Sequence, residues 1–185
     1  MTRWVRRLWV SILCLAFMGL STSSSAGQSA TAQQCGVDQQ QQAQRFFADP
    51  YGKNDWIEYR SIDAVPQLSS DGGILARLWA GTNGDVLFRL EEPGEDFAAY
   101  TDYCFDSKGQ LVQLRFELRT AWGWGFRKEG SVLKGILTPR MSEFFSTKTD
   151  MPVKRPKQAD DIAQALKPKL YSRQAQLPFF KLVPQ

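Results

Sequence analysis

Residues 110–119, "QLVQLRFELR", decide the fold class: Val112, Leu114, Phe116 and Leu118 alternate with Gln113, Arg115, Glu117 and Arg119. A period of two sends successive side chains to opposite faces of a pleated strand. The stretch therefore reads as a strand in a sheet with one packed and one wet face.

The same parity continues into "AWGWGFRKEG", residues 121–130, through Trp122, Trp124 and Phe126. A strand from 111 to 126 would run about 50 Å, well beyond the usual strand length. The chain must bend or turn, and Gly123 and Gly125 supply the freedom. A bend keeps the indoles in the core, whereas a hairpin tip exposes at least one of them. An exposed indole can stack on a sugar ring or sit at a membrane interface. Aromatic stripes at strand spacing are mostly core, so the first reading is a bend with the rings packed inside; on the alternative, Trp122, Trp124 and Phe126 are the candidate binding surface.

Towards the N-terminus, turn signals recur about every dozen residues: Ser69–Gly73, Gly81–Gly84, Glu92–Glu95 and Asp106–Gly109. Between them lie "ILARLWA", "DVLFRLE" and "AAYTDYCF", preceded by the alternating "DWIEYRSI". Short connections favour antiparallel neighbours, hence a β-meander. Val132, Leu133, Ile136 and Leu137 mark one more strand. Upstream, Asp38 can cap a helix that runs through the glutamines to Ala48, with Val37, Ala43, Phe46 and Phe47 as its apolar stripe. Near the C-terminus "QADDIAQALK" is a short helix ended by Pro168, and "QLPFFKLV" is apolar enough to dock on the sheet. The expected fold is α+β: an antiparallel meander of five or six strands with a short N-terminal helix and a loop-rich tail carrying one short helix.

The first 26 residues have the pattern of an export signal, with Arg3, Arg6 and Arg7 ahead of an apolar run from Leu8 to Leu20 and small residues at 24–26. Residues 27–34 read as a flexible leader, 35–137 as the helix and sheet, and 138–185 as a tail packed on the same domain. The signal holds three of the 23 basic and none of the 19 acidic side chains, so the remainder carries 20 against 19. That remainder is polarised: residues 27–126 hold 8 basic and 14 acidic side chains, and residues 127–185 hold 12 and 5. The two oppositely charged parts attract each other or are simply solvated; the alternative is that the basic tail meets an acidic partner such as an anionic lipid head group. Once Cys14 leaves with the signal, Cys35 and Cys104 remain, and an exported chain favours their pairing. No transmembrane segment is expected after cleavage, and the location is secreted or periplasmic.

Histidine is absent from the sequence, which removes Ser-His-Asp and Cys-His catalysis and His-ligated zinc. "GTNGDV" lacks the Lys-Ser/Thr of a phosphate loop, and no dinucleotide fingerprint occurs. No cofactor or metal is expected, and scattered basic residues on an exported chain argue against nucleic acid. Carboxylates are the catalytic groups that remain in quantity: Glu91, Glu92, Glu95 and Asp96 cluster in "EEPGED", with Asp102 and Asp106 further on. Two suitably spaced acids hydrolyse a glycoside, so a small glycan hydrolase is the alternative reading. The leading one is a non-enzymatic binding or accessory protein of the cell envelope, presenting its aromatic surface to a protein, glycan or membrane partner.

Overall fold

Among the described residues the chain forms an eight-stranded antiparallel sheet with almost no helix. The computed structural model describes residues 35, 37, 42–81, 83–157, 159 and 168–183. The strands are β1 (Arg45–Asp49), β2 (Ile57–Tyr59), β3 (Ile74–Ala80), β4 (Val86–Pro93), β5 (Phe97–Phe105), β6 (Leu111–Thr120), β7 (Trp124–Leu133) and β8 (Ile136–Ser146). Their order is β2-β1-β3-β4-β5-β6-β7-β8, so from β3 onward each strand pairs with its sequence neighbour.

The expected α+β class with an N-terminal helix is overturned. The end of the proposed helix is β1, hydrogen-bonded between β2 and β3. Its residues show why: Phe46 packs on one face of the sheet beside Cys35, Trp79 and Leu87, and Phe47 on the other beside Phe88. Burying adjacent phenylalanines on opposite sides is what a strand does and a helix cannot. Residues 38–41, the start of that proposed helix, lie outside the described residues, as do the signal, the leader and most of "QADDIAQALK". The strand count also rises, because Val132 to Leu137 is two strands joined at Lys134-Gly135, and β8 runs on through Met141–Ser146.

Two bulges reset the alternation. Cys104 pairs with Gln113 but Phe105 pairs with Leu111, which leaves Val112 as the extra residue. Val112 is therefore exposed and Gln113 buried, the reverse of the simple parity, while Leu114, Phe116 and Leu118 keep their packed face. Likewise Glu129 pairs with Met141 and Gly130 with Pro139. A proline, which lacks an N–H to give the ladder, is tolerated at such an irregularity.

One face of the sheet is apolar and is covered by the C-terminal segment. Phe179 is 1% exposed; its ring lies 5.0 Å from Phe47, 4.8 Å from Trp56 and 5.4 Å from Phe88. Leu111 N–H donates to the Ser172 carbonyl, Gln174 N–H to the Gly109 carbonyl, and Tyr103 Oη to the Lys169 carbonyl. On the opposite face the Cys35–Cys104 disulfide, with Cα atoms 5.9 Å apart, anchors an apolar cluster of Val37, Phe46, Trp79 and Leu87. It closes a separation of 69 residues, for which loop entropy gives roughly 4 kcal/mol.

The two glycines of "AWGWGF" serve different ends. Gly123 has φ +86° in the β6–β7 turn, with open space where a side chain would project. Gly125 leaves room for the Phe145 ring: a Cβ there would lie 2.4 Å from Phe145 Cζ and 2.6 Å from the Leu118 carbonyl oxygen. Gly125→Ala is expected to destabilise the protein by about 1–3 kcal/mol through overpacking, measured by urea denaturation. A Gly125→Ala midpoint equal to that of the wild type would refute the close-packing role.

Candidate functional site

The β6–β7 hairpin brings the aromatic residues into one chain of rings that leads from core to solvent. Thr120 Oγ1 donates to the Trp124 carbonyl at 2.6 Å, and Ala121 N–H donates to the Asp96 carbonyl at 2.8 Å. Thr147 N–H donates to the Gly123 carbonyl at 3.1 Å, which ties the tip to the end of β8. On this scaffold Trp122 is 54% exposed whereas Trp124 is 8% exposed. Their ring centroids are 6.2 Å apart with planes inclined by 27°. Behind them Phe144 lies 6.1 Å from Trp124 and 5.0 Å from Phe126, and Phe126 reaches Phe116.

Trp122 is thus the one outward member of the three aromatic candidates, Trp124 is core and Phe126 is half-buried. Met151 and Val153 are exposed beside the same end of β8, since Ser146 N–H donates to the Met151 carbonyl and Val153 N–H to that of Phe144. An exposed indole backed by a buried one is a rigid stacking surface that loses little entropy on contact.

The four clustered acids are not brought together. Glu91 and Glu92 are adjacent on β4 and so point to opposite faces, while Glu95 and Asp96 are exposed on the β4–β5 turn. Glu91 pairs with Arg77 at 2.6 Å. Glu92 lies on the packed side, where burial raises its pKa, and its charge in turn raises those of Tyr103 and Tyr171, whose own burial is the larger cause.

A polar cleft of about 200 Å³ opens over β4, β5 and β6, lined by Arg89, Tyr100, Asp102, Arg115, Glu117 and Arg119. In the sequence these residues are the wet positions of alternating strands, which is the signal that could have found it. Arg89 holds both oxygens of Asp102, Nε to Oδ1 at 2.7 Å and Nη2 to Oδ2 at 2.9 Å. Burial opposes the Arg89 charge more than any single contact supports it, but the hydrogen bond and charge of Asp102 together with the charges of Glu91 and Glu117 keep the guanidinium above its ordinary pKa. Glu117 accepts from Arg115 at 2.8 Å and from Arg119 at 2.6 Å. Arg119 and Arg127 in turn stack on the Phe145 ring at 5.3 and 4.7 Å. The cleft's carboxylates are committed as acceptors to guanidinium donors; the Arg89–Asp102 pair joins β4 to β5, whereas Glu117 is held by two arginines of its own strand. Among the described residues no group of three or more acidic or cysteine side chains is placed to hold a metal ion. No helix among them is long and apolar enough to cross a membrane. Searches for similarity found no matching protein family, curated protein or solved structure.

Two substitutions test these electrostatics. Asp102→Ala strips the half-buried Arg89 guanidinium of its bidentate partner, and a loss of about 1.5–3 kcal/mol is expected in denaturant melts; a change under about 0.5 kcal/mol would show the pair to be incidental. Glu92 has a raised folded-state pKa, so its ionisation opposes folding as pH rises from the unfolded value through the folded one. Glu92→Gln is therefore expected to gain melting temperature over the wild type at pH 7 and to lose that gain below about pH 4, under the ordinary glutamate pKa. A pH-independent difference would contradict this.

Proposed function

We propose that the protein acts outside the cytoplasm as a non-enzymatic binding or accessory protein of the cell envelope, and that the β6–β7 tip is its contact surface. The observation that carries this reading is the position of Trp122: a large indole held in solvent on a hairpin pinned to both neighbouring elements. Trp122 projects from the end of a ring chain whose inner members already serve the core. Tryptophan is among the residues that dominate binding energy when buried against a partner. The Cys35–Cys104 disulfide supports an oxidising compartment, and the export-signal pattern of residues 1–26 supports the route to it.

The test separates contact from folding. Trp122→Ala is expected to stay within about 0.5 kcal/mol of wild-type stability, as exposed substitutions usually do, and to lose capture of the partner from native envelope extract. Acrylamide quenching should fall in the same variant, because its most accessible indole is gone. If Trp122→Ala unfolds the protein, or keeps its full partner capture, the tip is not the contact surface.

A further inference from the structure

The opposite end of β7 carries a second exposed apolar feature. Leu133 and Ile136 are 71% and 70% exposed and are direct cross-strand partners flanking Lys134-Gly135. Lys134 has φ 53° and Gly135 φ 78°, the positive values at both central residues that define a two-residue type I′ hairpin. This tight, well-matched turn holds the two aliphatic side chains side by side beyond the sheet.

The surroundings of the pair are basic. Gly135 sits against Ser172, which brings the 169–173 segment alongside, with Leu170 40% exposed and Lys169 and Arg173 exposed. Arg173 bridges to Gln110, two residues from exposed Lys108. Four cations, Lys108, Lys134, Lys169 and Arg173, thus share this end with three exposed aliphatic side chains. Of the carboxylates in the neighbouring turns, Asp106 is engaged by the Lys108 and Gln110 N–H groups; Asp85 stands in the adjacent β3–β4 turn, where Gly84 approaches Ser107, so the four cations face two carboxylates at this end.

We infer that this hairpin docks on an anionic phospholipid surface, with Leu133 and Ile136 entering the acyl boundary and the cations meeting the head groups. Charge complementarity selects this occupant: apolar tips ringed by lysine and arginine are what an interfacial anchor needs, since lysine stems bury while their ammonium groups stay at the phosphates. Each basic residue near an anionic leaflet contributes roughly fivefold in partitioning. The site is independent of Trp122, which lies roughly 30 Å away at the other end of a ten-residue strand. A protein lying on the membrane through this hairpin holds its aromatic tip away from the bilayer.

Co-sedimentation with vesicles tests the inference, comparing phosphatidylethanolamine vesicles containing phosphatidylglycerol with phosphatidylcholine vesicles. The protein is expected to bind the anionic vesicles about tenfold more tightly and to be released as salt approaches about 0.5 M. The double variant Leu133→Ser/Ile136→Ser should lose about tenfold in binding with unchanged thermal melting, Lys134→Glu should lose a similar factor, and Trp122→Ala should bind as the wild type does. Equal binding to both vesicle types, no binding to either, or anionic binding that depends on Trp122 instead of Leu133 and Ile136 would overturn it. So would a dimer that the double variant dissociates in a protein that ignores lipid, since the hairpin would then face a second copy.

Discussion

Phe179 is the contact on which the rest of the structure depends. An open antiparallel sheet of eight strands buries nothing by itself, and one of its faces here is lined with Phe47, Leu78, Phe88, Leu90, Leu114, Phe116 and Leu118. Left to solvent, such a face would be an aggregation surface. The last described segment of the chain supplies the missing layer, with Phe179 seated between Phe47, Trp56 and Phe88 and Leu177 beside it. Fully burying one large apolar side chain contributes about 1.5–3 kcal/mol, but the seat does more than its own area. It joins β1, β4 and the connection after Asp49 into one packed unit.

The opposite face is solved by different physics. At one end the disulfide and its apolar cluster cover the sheet. Across the rest, ion pairs step from strand to strand, Arg77 with Glu91, Arg89 with Asp102 and Arg127 with Glu143, while Glu117 sits between Arg115 and Arg119 of its own strand. Cross-strand opposite charges each add a fraction of a kcal/mol, and half-buried guanidinium–carboxylate pairs leave no charge without a partner in them. A face that is both wet and internally paired needs no covering layer. The cleft over β4 to β6 is the surface relief of that lattice.

Much of this was legible in the residues and some was not. β6 follows from its alternation, and β3 to β5, which are buried on both faces over much of their length, follow from the turn residues between them. Arg45–Asp49 reads as helix because a glutamine run and sparse apolar marks satisfy a helical period as well; what decides is that Phe46 and Phe47 each find a partner layer, and that is long-range. Val112 departs from the parity because the ladder to β5 skips it, Cys104 pairing with Gln113 and Phe105 with Leu111. The site was legible in part. The "WGWGF" pattern points to the tip, but whether Trp122 or Trp124 faces outward depends on where the turn falls, one residue deciding it. Glu91 and Glu92 look like a cluster in a string and stand on opposite faces in a sheet. Leu133 and Ile136 mark a strand in the sequence, but apolar residues do not declare exposure, and they flank a turn that sets them in solvent.

With both faces satisfied, the hairpin tips are where exposed apolar groups gather, Trp122 at one end of β7 and Leu133 with Ile136 at the other. That distribution rests on the tail keeping the apolar face shut. Binding of an apolar dye such as ANS to the double variant Leu177→Ala/Phe179→Ala tests this most directly, read with far-ultraviolet circular dichroism. The account predicts strong dye binding with the sheet spectrum retained, as the uncovered face opens to solvent while the ladder persists. Dye binding no greater than that of the wild type, with unchanged melting, would contradict it, because the sheet would then not need the tail.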